Sequence, residues 1–308
     1  PPAPRPENPD PVKFLTTLLL STAAIGTFLF LAPSCSRAAN GQGRILLQNK
    51  GSDTMLDVAQ RWAEEFHKVR PEVGVSVTGG GSQVGVAGII NGTVDIANCS
   101  RRLSDDEMKQ ARDHKHEPVE HHVGYDGIAM FVHKDNPIQA LTLEQIKQIY
   151  VDGGTITKWS QLGVTMPEGR DEIVRISRQA NSGTYEYFKE AVLGGKKANF
   201  RLGSLDLNSS KDVVDNVART VSALGYSGLS YGKGADVRMV PVKKAADQPA
   251  VMPTIDTVLD KSYPISRPLY MYTIGEAKDA TKAYLEWIKS DDGQKVLMNL
   301  GYPPLRKV

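Results

Sequence analysis

Cysteine is nearly missing from this chain: among 308 residues only Cys35 and Cys99 occur. With Cys35 modified or removed, as argued below, no intrachain disulfide is available. Surplus charge is missing too. The 37 basic residues face 35 acidic ones, a net charge of +2, which leaves no electrostatic footprint for nucleic acid. Metal-ligand spacing is absent. His114, His116, His121 and His122 lie close together, but no Cys or paired carboxylate accompanies them at ligand spacing, so they read as solvated surface. No Gly-Lys-Ser/Thr follows the Gly79-Gly80-Gly81-Ser82 loop, which excludes a Walker loop. Val84 stands where the dinucleotide fingerprint beginning at Gly79 needs its last glycine. Neither Ser82 nor Ser182 sits in a Gly-x-Ser-x-Gly elbow, and no histidine lies in their loops to act as base.

Long apolar runs are absent but for one. Residues 1–11 are Pro-rich and expected to be disordered. After Lys13, residues 14–31 are apolar and uncharged, ending at Ala32-Pro33-Ser34-Cys35. This reads as an export signal. A small residue before Cys35 suggests a lipoprotein site with Cys35 as the lipidated residue, although Ala32 occupies the place where Leu is usual. The run is also long enough to remain as an uncleaved anchor, and simple secretion is the third outcome. All three put the body outside the cytoplasm, in the periplasm or at the cell surface.

What remains, with 40% hydrophobic residues overall, is enough for one or two cores. Apolar strands alternate with amphipathic helices. Ile45-Leu46-Leu47-Gln48 precedes Gly51-Ser52-Asp53-Thr54, and Met55, Val58, Trp62, Phe66 and Val69 then recur at helical spacing. Ser52 or Asp53 is the expected N-cap. Residues 73–77 form a strand entering the glycine loop, and a short helix over 83–90 follows. Residues 94–97 form a strand ending at Asn98-Cys99-Ser100-Arg101-Arg102, where Cys99 reads as a buried thiol. Ile128-Ala129-Met130-Phe131-Val132 is another strand, and residues 173–176 lead into Ser177-Arg178-Gln179-Ala180-Asn181-Ser182-Gly183-Thr184. The alternation implies an α/β architecture with mostly parallel sheets.

Three strand-to-helix junctions carry the same chemistry: Ser52-Asp53-Thr54, Gly80-Gly81-Ser82-Gln83 and Asn181-Ser182-Gly183-Thr184. The first amides of a helix lack partners inside it and its dipole makes that end positive. In open α/β sheets ligands sit beyond the carboxyl ends of strands. Three such ends with Arg178 would bind one small oxyanion.

These motifs, together with Ile90-Asn91-Gly92-Thr93-Val94-Asp95-Ile96, Gly124-Tyr125-Asp126-Gly127-Ile128-Ala129, residues 263–270 and Gly301-Tyr302-Pro303-Pro304-Leu305, resemble the periplasmic phosphate-binding proteins of bacterial ABC transporters. The resemblance covers nearly everything after Ile45. It implies a two-lobed type II binding-protein fold, mixed sheets flanked by helices, with two crossing strands as hinge. The crossings are expected near Tyr125-Asp126-Gly127 and Tyr226-Ser227-Gly228-Leu229, making lobe one 45–126 plus 226–308 and lobe two 127–225. It implies a monomer that captures inorganic phosphate between the lobes and delivers it to membrane ABC permease subunits, with no cofactor, no metal and no catalysis. Carried over by motif, the phosphate contacts are Thr54, Ser82, Arg178, Ser182, Gly183 and Thr184, with Ser52, Asp53, Gly81 and Ser100 completing the candidate set.

Two departures bear on selectivity. Well-known members carry an Asp where this chain has Ser100, and another two residues after the binding Arg, where it has Ala180. The first Asp accepts the proton of phosphate and so excludes sulfate. Asp53 is the candidate replacement, Arg101 either adds charge or lies on the rim, and Asp126 is a hinge element or a partner for Arg178. A binding protein for another tetrahedral oxyanion such as sulfate is therefore the alternative, with a phosphomonoesterase a more distant one.

Overall fold

The computed structural model describes residues 44–308. The disordered start, the export-signal reading of 1–39 and the lipidation site Cys35 lie outside the described residues. No helix among the described residues is long and apolar enough to cross a membrane.

The chain begins as alternating strands and helices: β1 (Ile45–Gly51), α1 (Leu56–Val69), β2 (Val73–Thr78), α2 (Ser82–Asn91) and β3 (Ile96–Cys99). β1 pairs in parallel with β2 on one side and β3 on the other. Helix α1 buries Val58, Trp62 and Phe66, the apolar positions its spacing singled out. Helix α3 (Asp105–Asp113) opens with the Ser104/Glu107 capping box, which satisfies two otherwise free amides.

The next strand, β4 (Pro118–His133), is the longest, at 16 residues. Beyond it come β5 (Leu141–Thr142), α4 (Leu143–Tyr150), β6 (Val174–Arg178), α5 (Gly183–Phe188), β7 (Leu205–Leu207), α6 (Ser210–Arg219), β8 (Ala223–Gly228), β9 (Val237–Val240), β10 (Val242–Lys243), β11 (Ala250–Val251), α7 (Ile255–Leu259), β12 (Ser266–Ile274), α8 (Asp279–Lys289) and α9 (Asp291–Asn299). The main sheet runs β2-β1-β3-β12-β4-β8-β6-β7, with β9 also on β4. Its pairing is mixed. β12 is antiparallel to both β3 and β4, β8 is antiparallel to β4, and β6 is parallel to β7 and β8.

Strand β4 belongs to two environments. Its residues Pro118–Gly127 pair with β12, and from Ile128 onward it pairs with β8 and β9. The apolar residues follow the same division. Leu47, Trp62, Phe66, Leu269, Met271 and Tyr284 pack on one face of the first part of the sheet, and Val86, Ile89, Cys99, Tyr270 and Tyr272 on the other. The alternation of 269–272 between the two faces is the period-two geometry of a strand covered on both sides. A separate core gathers Ile128, Phe131, Tyr150, Ile176, Phe188, Val217 and Tyr226. The expected return near Tyr226 does not bring the chain back to the first core. Val240, Val242, Val258, Tyr263 and Ile265 all pack with the second, and the chain rejoins the first at β12. There the Ile128 amide donates to the Ile265 carbonyl at 2.8 Å.

Two local expectations also change. Residues 53–55 form a 3-10 turn before α1, and the Ser52 side chain makes no capping bond. Its hydroxyl is used elsewhere, as described below. Where a crossing was expected near 226–229, β8 ends at Gly228 and gives way to a 3-10 turn over Leu229–Gly232.

Helix α1 is fixed to the carboxyl-terminal helices through Trp62, fully buried, whose indole N–H donates to the Gly293 carbonyl at 2.7 Å. Trp62→Ala is expected to lower unfolding free energy by about 3–5 kcal/mol, read as a fall in the urea midpoint at unchanged slope.

Candidate anion site

All ten candidate residues from the sequence come together in the interior, where the ends of β1, β2, β3 and β6 meet. Ser52, Asp53, Thr54, Gly81, Ser82, Ser100, Arg178, Ser182, Gly183 and Thr184 are each buried. Backbone shape makes this approach possible. Gly81 has φ +94° and passes so close to the Asn181 carbonyl that a Cβ would lie 2.5 Å from it. A Cβ on Gly183 would lie 2.2 Å from Ser82 Oγ and 2.7 Å from Ser100 Oγ. Only glycine lets these loops meet.

The three serines of the first core form a connected set. Ser52 Oγ donates to Ser100 Oγ at 2.9 Å, the Ser100 amide donates to Ser82 Oγ at 3.1 Å, and Ser82 Oγ lies 3.3 Å from Ser100 Oγ. Of the two expected caps of α1, Ser52 instead lies beside Ser100 and Asp53 accepts the Gly80 amide. Across from them, the Ser182 hydroxyl accepts the Thr184 amide at 3.1 Å and starts α5. Thr54 Oγ1 and Thr184 Oγ1 are 2.7 Å apart. The Gln83 amide and Asn181 side chain add bonds between the second and third loops.

Arg178 is fully buried. Its guanidinium donates to Ser210 Oγ at 2.8 Å, the Asn208 carbonyl at 2.6 Å, the Leu207 carbonyl at 3.3 Å and Asp53 Oδ2 at 3.4 Å. Burial lowers its pKa from the usual arginine range, and the Asp53 charge pulls it back up. Asp53 Oδ1 accepts the Gly80 amide at 2.9 Å. The turn carrying Asp53 and Thr54 is clasped by two phenols: Tyr231 donates to the Asp53 carbonyl at 2.6 Å and Tyr302 to the Thr54 carbonyl at 2.5 Å. The terminal Gly-Tyr-Pro-Pro-Leu segment thus reaches the site through Tyr302.

Two more charged residues belong here, and the sequence reading did not give them these places. Arg267, on β12, and Asp126, opposite it on β4, are both fully buried. Asp126 Oδ2 accepts from Arg267 Nη2 at 2.8 Å and Nε at 3.1 Å. Asp126 therefore partners Arg267, while the partner of Arg178 is Asp53. Burial raises the Asp126 carboxyl above its usual range against the opposing pull of Arg267. Arg267 also donates to Thr184 Oγ1, Thr54 Oγ1 and two carbonyls of the site. Its residue type and its place in the 263–270 motif were visible, but only the β4–β12 register sets it against Asp126.

Arg101 lies toward the rim. It forks onto Glu107 at 2.7 and 2.8 Å and lines a cavity of about 490 Å³ that also borders Arg267, Tyr187 and Tyr270. Among the described residues no group of three or more His, Cys, Asp or Glu could hold a metal ion. The arrangement gathers hydroxyls, helix-start amides and two guanidinium groups in one buried cluster, a chemistry suited to an oxyanion.

Comparison with known proteins agrees with this fold. The chain belongs to the PBP superfamily, whose domain matches residues 36–292. Within it, the chain belongs to the PstS-type family of phosphate-binding proteins. It is 32% identical to the phosphate-binding protein PstS of Pseudomonas aeruginosa over 89% of this chain and 86% of that one. It is 30% identical to the PstS protein of Staphylococcus saprophyticus over 94% of this chain and 90% of that one. Among solved structures, a Clostridium perfringens protein crystallised with bound phosphate has TM-score 0.75 and 32% identity, covering 85% of this chain and all 100% of its own. An ABC-type phosphate transport receptor from Vibrio cholerae has TM-score 0.66 and 26% identity over 84% and 99%.

Cys99 lies directly behind the serine cluster as a free, fully buried thiol. Burial pushes its pKa up to about 12. At pH 8 the folded protein is expected to leave Cys99 unalkylated by iodoacetamide, with labelling complete in urea. Peptide mass analysis reads both states.

Proposed function

We propose that this protein is an extracytoplasmic binding protein that captures inorganic phosphate and hands it to the membrane subunits of an ABC permease. The observation that carries the proposal is the convergence of three strand-to-helix junctions, their hydroxyls and Arg178 into one buried cluster. On this reading Thr54, Ser82, Ser182 and Thr184 donate hydroxyls to the phosphate oxygens. The Gly183 amide and other first-turn amides add to them. Arg178 approaches from the second core with its charge balanced by Asp53, and Ser52, Gly81 and Ser100 shape the wall.

The lobes of the proposal follow the two cores: 44–127 with 266–308, and 128–265. The hinge is then the pair of crossings at Gly127–Ile128 and Ile265–Ser266, adjacent strands whose small rotations open the cleft. Such a protein binds without covalent chemistry. A serine nucleophile here would lack a base, since each site hydroxyl is paired with another hydroxyl, an amide or Arg267. Periplasmic or cell-surface residence, attachment through residues 1–39 and Cys35, and a monomeric state complete the proposal.

Selectivity in the absence of the usual Asp falls to Asp53. A carboxylate has about four acceptor sites, and only the Gly80 amide and one long contact from Arg178 are used here. It retains capacity to accept the proton of hydrogen phosphate, which sulfate lacks.

Calorimetric titration of the anion-stripped full chain in detergent tests the reading. One-to-one binding of phosphate with silent sulfate is expected. Asp53→Asn should weaken phosphate by about tenfold or more and narrow its margin over sulfate, given that hydrogen bonds to charged groups contribute about 1.5–3 kcal/mol. Comparable sulfate and phosphate binding by the unaltered chain would make the protein a broader oxyanion binder, and silence toward both would overturn the site.

A further inference from the structure

Resting on the phosphate reading, we propose that Arg267 is a positioning residue of the anion site, orienting the hydroxyls of Thr54 and Thr184 and tying the two cores together without lending net charge. A guanidinium has five N–H donors in a fixed fork. Here every one is occupied. Nε and Nη2 hold Asp126 Oδ2 at 3.1 and 2.8 Å. Nη1 donates to the Ser100 carbonyl at 2.9 Å and the Gly183 carbonyl at 3.2 Å. Nη2 also donates to Thr184 Oγ1 at 2.8 Å, with Thr54 Oγ1 at 3.3 Å. No N–H is left over for a ligand, so Arg267 acts through its neighbours.

The consequence lies in the hydroxyls. A threonine hydroxyl has one proton to give and lone pairs to fill. The two oxygens are 2.7 Å apart, so in their mutual bond one donates and the other accepts. With one Nη2 N–H on Asp126, the other reaches a lone pair of Thr184 at 2.8 Å and is shared with Thr54 at 3.3 Å. One of the two hydroxyl protons is used in the bond between the threonines, and the hydroxyl that accepts it keeps its own proton for a third acceptor, the phosphate oxygen. Preset donors bind an anion without first reorganising.

The same side chain spans the structure. Asp126, Ser100 and Thr54 belong to the first part of the sheet, while Gly183 and Thr184 open α5, beyond β6 of the second. Arg267 lies beside the proposed hinge, one residue after Ser266, and makes its bonds to α5 only when the two parts are together. Asp126 cancels its charge on the spot. A bare buried guanidinium would attract any anion; the paired one supplies geometry.

A double-mutant cycle on the full chain tests this. Phosphate affinity is measured by calorimetry for wild type, Arg267→Lys, Thr184→Val and the double variant. Lysine keeps the charge but cannot reproduce the fork. Arg267→Lys is expected to weaken phosphate about ten- to hundredfold, and much less once the Thr184 hydroxyl is gone. Binding by Arg267→Lys within about twofold of wild type, or a loss of equal size in both Thr184 backgrounds, overturns the proposal. The second outcome is what a purely structural arginine gives. Should Arg267→Lys fail to fold, Arg267→Gln combined with Asp126→Asn removes both charges together, and its coupling to Thr184→Val is read by the same two criteria. A wild-type chain that binds no phosphate overturns the underlying reading along with this one, so the two failures are distinguishable.

Discussion

A charged or polar group taken out of water must find its partners inside the protein. That constraint organises this structure. Asp53, Asp126, Arg178 and Arg267 are all buried within one site, and each is held by an opposite charge. Removing one member of such a pair typically costs roughly 3–5 kcal/mol, because the other is left uncompensated. The loops are therefore not free to drift. Asp53 ties the first loop to the glycine loop through Gly80 and to β6 through Arg178. Arg267 ties the first loop and the Ser100 turn to α5. The polar network fixes the relative placement of strand ends from the two halves of the main sheet.

The apolar framework serves the same arrangement from behind. β12 is inserted between β3 and β4, so that a strand late in the chain lies against strands from its beginning. That insertion brings Arg267 opposite Asp126. Behind Arg178, Phe188 stacks on Tyr226 with ring centroids 3.9 Å apart, and the Tyr226 hydroxyl meets Ser177 Oγ at 2.8 Å. The strand that delivers Arg178 is thus packed on rigid rings, and its side chain has little room to leave the site. Tyr231 and Tyr302 do the equivalent for the turn at Asp53–Thr54, using the backbone carbonyls while the side chains reach Arg178, Thr184 and Arg267.

Much of this was legible in the residues. Helical spacing from Val58 to Phe66 and the three glycine- and serine-rich junctions follow from local chemistry, which short windows of sequence report. The candidate site was legible for the same reason: each of its three loops is a local motif. What was not legible depends on pairing across long separations. Asp126 and Arg267 are 141 residues apart, and nothing local says that they share a register. The expected crossing at Tyr226 illustrates the point. Its glycine-punctuated strand looks like a connection, yet β8 is an interior strand of the second part, and the return is made by Ile265–Ser266, which has no glycine to mark it. Ser52 shows the converse error, a good capping residue recruited by a tertiary partner, Ser100.

The balance of charge bears on what the site can do as a carrier. Two buried acids and two buried bases sum to zero, so on the phosphate reading the anion is held by donors aimed at it and not by a surplus of positive charge. Coulomb attraction to an uncompensated arginine would fall off slowly with distance and persist as the cleft opened. Hydrogen bonds weaken steeply once their distance and angle are lost. Thr184, Ser182, Gly183 and Arg178 approach from one core, Thr54, Ser82 and Ser100 from the other. A small rotation at the crossing strands would therefore break many of the anion's bonds together. Binding strength then becomes a property of the closed geometry, and a partner that opens the cleft can release the anion without having to neutralise any charge.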